Sequence, residues 1–133
     1  MEELGAEKLV GSQVFQDPLL SMHMTFLMLI YSFSINLGSS SRDLAFHFNP
    51  RFNESVIVCN SKHSDSWQTE LRVRHLPFFR GWTVKFFIEM LSDKFRVKLP
   101  DGHEVCFPNR HGYHNISYVS IVGGLKIISF KLT

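Results

Sequence analysis

Apolar and polar residues alternate along most of this chain, and alternate residues of an extended strand share a face. Ser32–Leu37 is short and apolar and is closed by Gly38 and three serines, which predict a loop. Asp43–Asn49 alternates, Val56–Asn60 follows, and Ser61–Ser66 reads as a polar turn. Glu70–Arg74 alternates again before a turn marked by Pro77 and Gly81. Thr83–Met90 sets Val84, Phe86, Ile88 and Met90 on one face. In Lys94–Leu99, Phe95, Val97 and Leu99 point inward while Lys94, Arg96 and Lys98 point to solvent. Pro100-Asp101-Gly102-His103 predicts a hairpin turn in which Gly102 supplies the positive φ. Glu104–Phe107, Ser117–Val122 and Leu125–Leu132 complete the series, the last two split by Gly123-Gly124. Short strands at spacings of roughly ten residues predict an all-β antiparallel sandwich or barrel.

The first third departs from this pattern. Pro18 to Ser41 contains no Asp, Glu, Lys or Arg, and Leu19–Leu37 is rich in Leu, Met, Phe and Ile. That run is almost long enough to span a bilayer. Ser21, His23, Thr25, Ser32, Ser34 and Asn36 interrupt it, and the leading segment is acidic (Glu2, Glu3, Glu7) where a signal peptide would be positive. A pair of buried strands is the expectation here.

Composition narrows the function classes. A chain of 133 residues forms one domain with a core of its own, and thirteen Phe residues favour strands. A net charge of +2 without a Lys/Arg run gives no stripe for nucleic acid. Cys59 and Cys106 are expected as free, partly buried thiols in a reducing compartment, with Cys59 a structural core thiol. His47, His63, His75, His103, His111 and His114 show no zinc-ligand spacing among themselves or with the cysteines, so no metal and no cofactor is expected. His111 and His114, beside Arg110, read as a solvated turn, and Trp82 as a packing residue at a strand start.

The chemistry gathers between residues 47 and 72. His47, Asn49 and Arg51 share one face of a strand while Phe46, Phe48 and Phe52 take the other; Asn60, Trp67, Glu70 and Arg72 follow in the next segments. Sequential strands usually pair, so these outward faces merge into one patch. Each residue alone is an ordinary solvated position. Together they supply what a polyhydroxylated ring with one apolar face needs: Asn donates and accepts, Glu accepts, Arg donates through a rigid fork, and neutral His does either. Trp67 offers a flat platform for the C–H face of a sugar, and Arg51 or Arg72 can orient Glu70. A glycosidase needs two carboxylates across the scissile bond; Glu70 has no obvious second, so hydrolysis is not expected.

The stretch His47-Phe-Asn-Pro-Arg51, with Val58-Cys-Asn60 and Trp67-x-x-Glu70-x-Arg72, resembles the signature of the galectins, the β-galactoside-binding lectins. Asp93-Lys-Phe-Arg-Val-Lys-Leu-Pro-Asp-Gly-His103, Phe107-Pro-Asn-Arg110 and Ser129-Phe-Lys-Leu132 look most like prototype galectins of the second type. The likeness runs from about Phe33 to the end, leaving 1–32 as a divergent segment of a single carbohydrate-recognition domain, 1–133.

The resemblance implies an antiparallel jelly-roll β-sandwich of two sheets and a non-enzymatic lectin. It implies that His47, Asn49 and Arg51 hold the axial 4-hydroxyl of galactose, that Asn60 and Glu70 take the 6-hydroxyl, and that Trp67 stacks on the ring. Arg72, with Glu70, would reach the neighbouring glucose or N-acetylglucosamine. It further implies a homodimer that crosslinks galactoside glycans, meets membranes only through those glycans, and is made in the cytoplasm and released without a signal peptide. The sequons at Asn53 and Asn115 would then stay unmodified. Gln68 departs from the pattern where the family usually has Gly, directly after Trp67. That departure and the N-terminus motivate an alternative, a protein of the same fold that has lost useful sugar binding and acts through protein contacts. A membrane-anchored form is a third reading.

Overall fold

A computed structural model describes residues 2–3 and 19–133. Its strands are β1 (Glu2–Glu3), β2 (Leu20–Ser40), β3 (Asp43–Arg51), β4 (Val56–His63), β5 (Ser66–Trp67), β6 (Leu71–Val73), β7 (Thr83–Met90), β8 (Lys94–Lys98), β9 (Glu104–Pro108) and β10 (Tyr118–Leu132). A 3-10 turn, Phe52–Glu54, follows β3. The segments read as strands from alternation all form strands, and Gly102 holds the β8–β9 turn at φ 91°.

The architecture hangs on β2. It pairs antiparallel with β10 over nearly its whole length, from Met22↔Leu132 to Gly38↔Tyr118. On its other side the partner changes. Residues 20–27 pair with β7 (Leu20↔Met90 to Leu27↔Thr83), and residues 32–40 pair with β3 (Ser32↔Arg51 to Ser40↔Asp43). One half of β2 therefore leads through β7 to β8 and β9, and the other through β3 to β4, which carries β5 and β6. These two halves fold onto each other as the layers of an antiparallel jelly-roll sandwich.

Phenylalanines fill the space between. Phe46 of β3 stacks on Phe95 of β8 (ring centres 4.9 Å, planes 12° apart) and meets Phe107 of β9 at 5.5 Å. Phe48 meets Phe86 of β7 edge-on at 5.8 Å. All five rings are buried. Beyond the area they bury, aromatic pairs of this kind contribute roughly 0.5–1.5 kcal/mol each. The outward charges of β8 are not all free in solvent: Arg96 donates to Glu89 of β7 through Nε (3.0 Å) and Nη2 (2.6 Å).

Five expectations need correction. The expected pair of strands over Leu19–Leu37 is one strand, because both halves pair with the same neighbour, β10; the buried face shifts phase between Met22, Met24, Phe26 and Met28 and then Phe33, Ile35 and Leu37, where the β10 register slips. Gly38 does not open a loop. It lies inside β2, where β3 comes so close that a Cβ would sit 2.2 Å from Asp43 O. Gly123-Gly124 does not separate two strands either; Gly123, at φ 137°, marks a bulge within continuous β10. Trp82 is half exposed and packs against exposed Phe79 rather than into the core. Cys59 is a buried free thiol as expected, and burial pushes it up to about 12; Cys106 is free but exposed. Glu7 lies outside the described residues. No helix among the described residues is long and apolar enough to cross a membrane.

Candidate functional site

Register brings the polar residues into rows. Directly paired residues on neighbouring strands project from the same face of a sheet. His47 of β3 pairs with Asn60 of β4 on one side and Asn36 of β2 on the other, and Asn36 pairs with Ser120 of β10. Ser120, Asn36, His47 and Asn60 thus form a polar row across four strands. Asn49 begins a second row, running through Val58 of β4 to Arg72 of β6. Trp67 of β5 faces Lys62 at the end of β4. Phe46 and Phe48, the neighbours of His47, go into the core, which locks β3 in this orientation.

His47 is held as a neutral ring of defined tautomer. Asn36 donates through Nδ2 to Ser34 Oγ and Ser120 Oγ (3.1 Å each), which turns Oδ1 toward His47 Nδ1 at 2.5 Å. Nδ1 therefore carries the proton, and Nε2 is left as an acceptor. Burial, helped by the positive charges of Arg51 and Lys62, pushes the imidazole down to about 4. Near neutral pH the site has an uncharged acceptor here.

The other members are fixed in turn. Asn49 donates through Nδ2 to the Phe33 carbonyl (2.7 Å) and accepts from Arg51 Nε (2.8 Å). Arg51 Nη1 lies 3.5 Å from Glu54 Oε2, Glu54 Oε1 lies 3.7 Å from Arg72 Nη1, and Arg72 Nε donates to Glu70 Oε1 at 3.0 Å. Four alternating charges run Arg51–Glu54–Arg72–Glu70. Glu70 is oriented by Arg72, and Glu54 ties the two arginines together. These groups are partly exposed, so the chain sets geometry more than it adds stability.

Five of the seven expected residues (His47, Arg51, Asn60, Trp67 and Glu70) join Val58 and Gln68 in lining one open pocket of about 320 Å³. Asn49 and Arg72 touch lining residues instead. Trp67 is 49 % exposed, with its ring centre 4.6 Å from that of His47 and Lys62 Nζ 4.5 Å over the ring. The pocket presents an apolar wall, an imidazole acceptor, a guanidinium donor, an amide and a carboxylate within one concavity. That set matches hydroxyls, which donate and accept.

Gln68 fits without strain. It is not among the described residues with positive φ, so no glycine is required at this position. Its side chain binds Ser61 Oγ and lies 3.1 Å from His111 Nε2. Arg110 Nη1 donates to Ser61 Oγ at 3.0 Å. The 110–111 turn, expected to be merely solvated, buttresses the Trp67 segment from behind.

Sequence reasoning missed Asn36, Glu54 and Lys62. Asn36 had a signal: Ser32, Ser34 and Asn36 are polar at every second position, the mark of a strand face. Glu54 and Lys62 had none, since their roles depend on the turn after β3 and on the β4–β5 register.

Comparison with known proteins shows the family. The family model for galactoside-binding lectin matches residues 20–132, reaching into the stretch read as divergent. Human galectin-2 is 55 % identical over 100 residues, covering 75 % of this chain and 76 % of that protein. The crystal structure of chicken galectin 2 superposes with a TM-score of 0.91 at 51 % identity, covering 99 % of this chain and 100 % of the other. A homodimeric agglutinin from chicken liver superposes with a TM-score of 0.88 at 30 % identity, covering 99 % and 100 %. With its fold and its polar rows, the chain belongs to the galactoside-binding lectins.

Proposed function

We propose that this protein binds β-galactosides, of the lactose or N-acetyllactosamine type, in the pocket between His47 and Glu70, and that it does so without chemical conversion. The observation that carries this reading is the fixed neutral tautomer of His47 beside Arg51 and exposed Trp67. An axial hydroxyl of a pyranose placed on Trp67 donates to His47 Nε2 and accepts from Arg51. An epimer with that hydroxyl equatorial leaves these partly buried groups unpaired, which costs binding free energy. Asn49 acts here through Arg51, whose Nε it holds. Asn60 and Glu70 take the exocyclic hydroxyl, and Arg72 lies toward the next sugar. Gln68 adopts an ordinary backbone, which supports the sugar-binding reading.

One such open site binds weakly, on the order of micromolar to millimolar, or about 4 to 8 kcal/mol. Function then requires two sites in a homodimer that crosslinks glycans, where a second, intramolecular binding event supplies avidity. The homodimeric agglutinin among the similar structures supports this arrangement. Cytoplasmic synthesis as a single domain, with release independent of a signal peptide, suits the two free cysteines.

Lactose titration by calorimetry tests the reading. We expect saturable heat at micromolar to millimolar sugar, loss of it in Trp67→Ala, and lactose-inhibited agglutination by the unmodified protein. A folded protein giving no heat at millimolar lactose would sink the proposal.

A further inference from the structure

His75, Asp101 and His103 lie outside the carbohydrate pocket and converge on one point. His75 follows β6, and Asp101 and His103 belong to the β8–β9 turn, 26 residues further from His75 to Asp101. Asp101 Oδ2 sits 2.6 Å from His75 Nε2 and 2.6 Å from His103 Nδ1. The two imidazole rings are 4.2 Å apart, centre to centre. The three donor atoms lie within 4.8 Å of one another.

We propose that these three side chains form a binding site for a divalent transition-metal ion, Zn²⁺ foremost. Two imidazole nitrogens and one carboxylate oxygen are a donor set that Zn²⁺ uses at about 2.0–2.2 Å from each ligand. Ligands at that range around a tetrahedral ion stand roughly 3.4 Å from one another, so each Asp101–His contact of 2.6 Å has to open by about 0.8 Å, with the two imidazole nitrogens already within 4.8 Å of each other. The side chains have room to do so, being 39 %, 29 % and 67 % exposed for His75, Asp101 and His103. The carboxylate is also held from behind: the His103 backbone N–H donates to Asp101 Oδ1 at 3.1 Å, leaving Oδ2 for the shared point. Such outer support of a ligating carboxylate is a regular part of metal sites. The turn itself is closed by the Gly102 N–H to the Leu99 carbonyl (3.0 Å) and the Leu99 N–H to the His103 carbonyl (2.8 Å). Two of the three ligands therefore come from a rigid hairpin.

Placement gives the site a consequence. β9 ends one run of paired strands, and β6 flanks β4 at the end of the other. An ion held by His75 and the β8–β9 turn clips these two ends across the sandwich. Hard cations that prefer all-oxygen shells, such as Mg²⁺, lack enough oxygen ligands here. Spacing along the chain concealed the trio, because folding and not sequence brings His75 to the turn.

The test is calorimetric titration of ZnCl₂ into chelator-treated, dialysed full-length protein, with thermal unfolding alongside. We expect one Zn²⁺ per chain and a raised unfolding temperature, since the ion binds the folded state. His75→Gln and His103→Gln should each weaken binding roughly tenfold or more, with at most a small drop in the unfolding temperature in chelator, from the lost contact to Asp101. MgCl₂ should give neither heat nor stabilisation. Absence of saturable Zn²⁺ binding overturns the proposal. So does undiminished binding in both variants, which places the ion on other histidines or Cys106, and so does equal stabilisation by Mg²⁺.

Discussion

At the scale of residues, His47 makes the site sensitive to pH. The folded protein keeps this ring neutral down to about 4, whereas an unfolded chain protonates it near 6.5. Above 6.5 both states are neutral and the stability contribution is intact. Between 6.5 and 4 the unfolded chain takes up a proton that the folded one refuses, so stability falls with falling pH. The loss is complete below about 4 and amounts to something on the order of 3 kcal/mol. Urea unfolding between pH 7 and pH 4 checks this: His47→Gln should flatten the slope. Lactose binding should vanish over the last part of the same range, when Nε2 gains a proton and ceases to accept. The candidate residues of the site were legible because β3 alternates so regularly that His47, Asn49 and Arg51 could only share a face. The tautomer of His47 was not, since it follows from Asn36, whose amide is turned by Ser120 of β10, a strand that reaches β2 only through pairing distant in sequence.

At the scale of elements, two glycines decide whether β2 and β10 can run unbroken. A Cβ at Gly38 would stand 2.2 Å from Asp43 O and 2.7 Å from Leu44 Cα. At Gly123 it would stand 2.6 Å from Phe33 Cα, on a backbone whose φ of 137° L-residues rarely adopt. The obstacle is backbone in both cases and cannot swing aside. Gly38→Ala and Gly123→Ala should each lower stability by about 2 kcal/mol or more, read as a lower urea midpoint. Both glycines were visible in the sequence and misread. A glycine beside serines, or a glycine pair between apolar runs, has the same signature whether the chain turns there or two strands press together. The Lys94–Lys98 and Glu104–Pro108 hairpin held no such ambiguity, because Gly102 sits between clean alternations of fixed length.

At the scale of the whole molecule, all-β architecture was legible from spacing alone, but the way its layers join was not. No local pattern in Leu20–Ser40 announces that one strand serves β7 with its first half and β3 with its second. Shared membership has a measurable effect. Neither layer can open without disrupting β2, so backbone amides of its paired stretches should exchange with deuterium only through global unfolding, while those near Trp67, in two-residue β5, exchange faster by local opening. Exchange followed by mass spectrometry at neutral pH checks the contrast; faster exchange in β2 than in β5 would contradict it.

The pairing of β2 with β10 also bears on how the chain is made. β2 leaves the ribosome early and β10 late, yet each is the other's neighbour over most of its length. Until β10 is made, the central strand waits with one edge bare. Native closure comes only when the Leu125–Leu132 stretch has emerged, so folding of these strands waits on contacts far apart in sequence and is correspondingly slow. The nascent protein therefore passes through a long interval in which its most apolar strand is exposed to chaperones and to other chains.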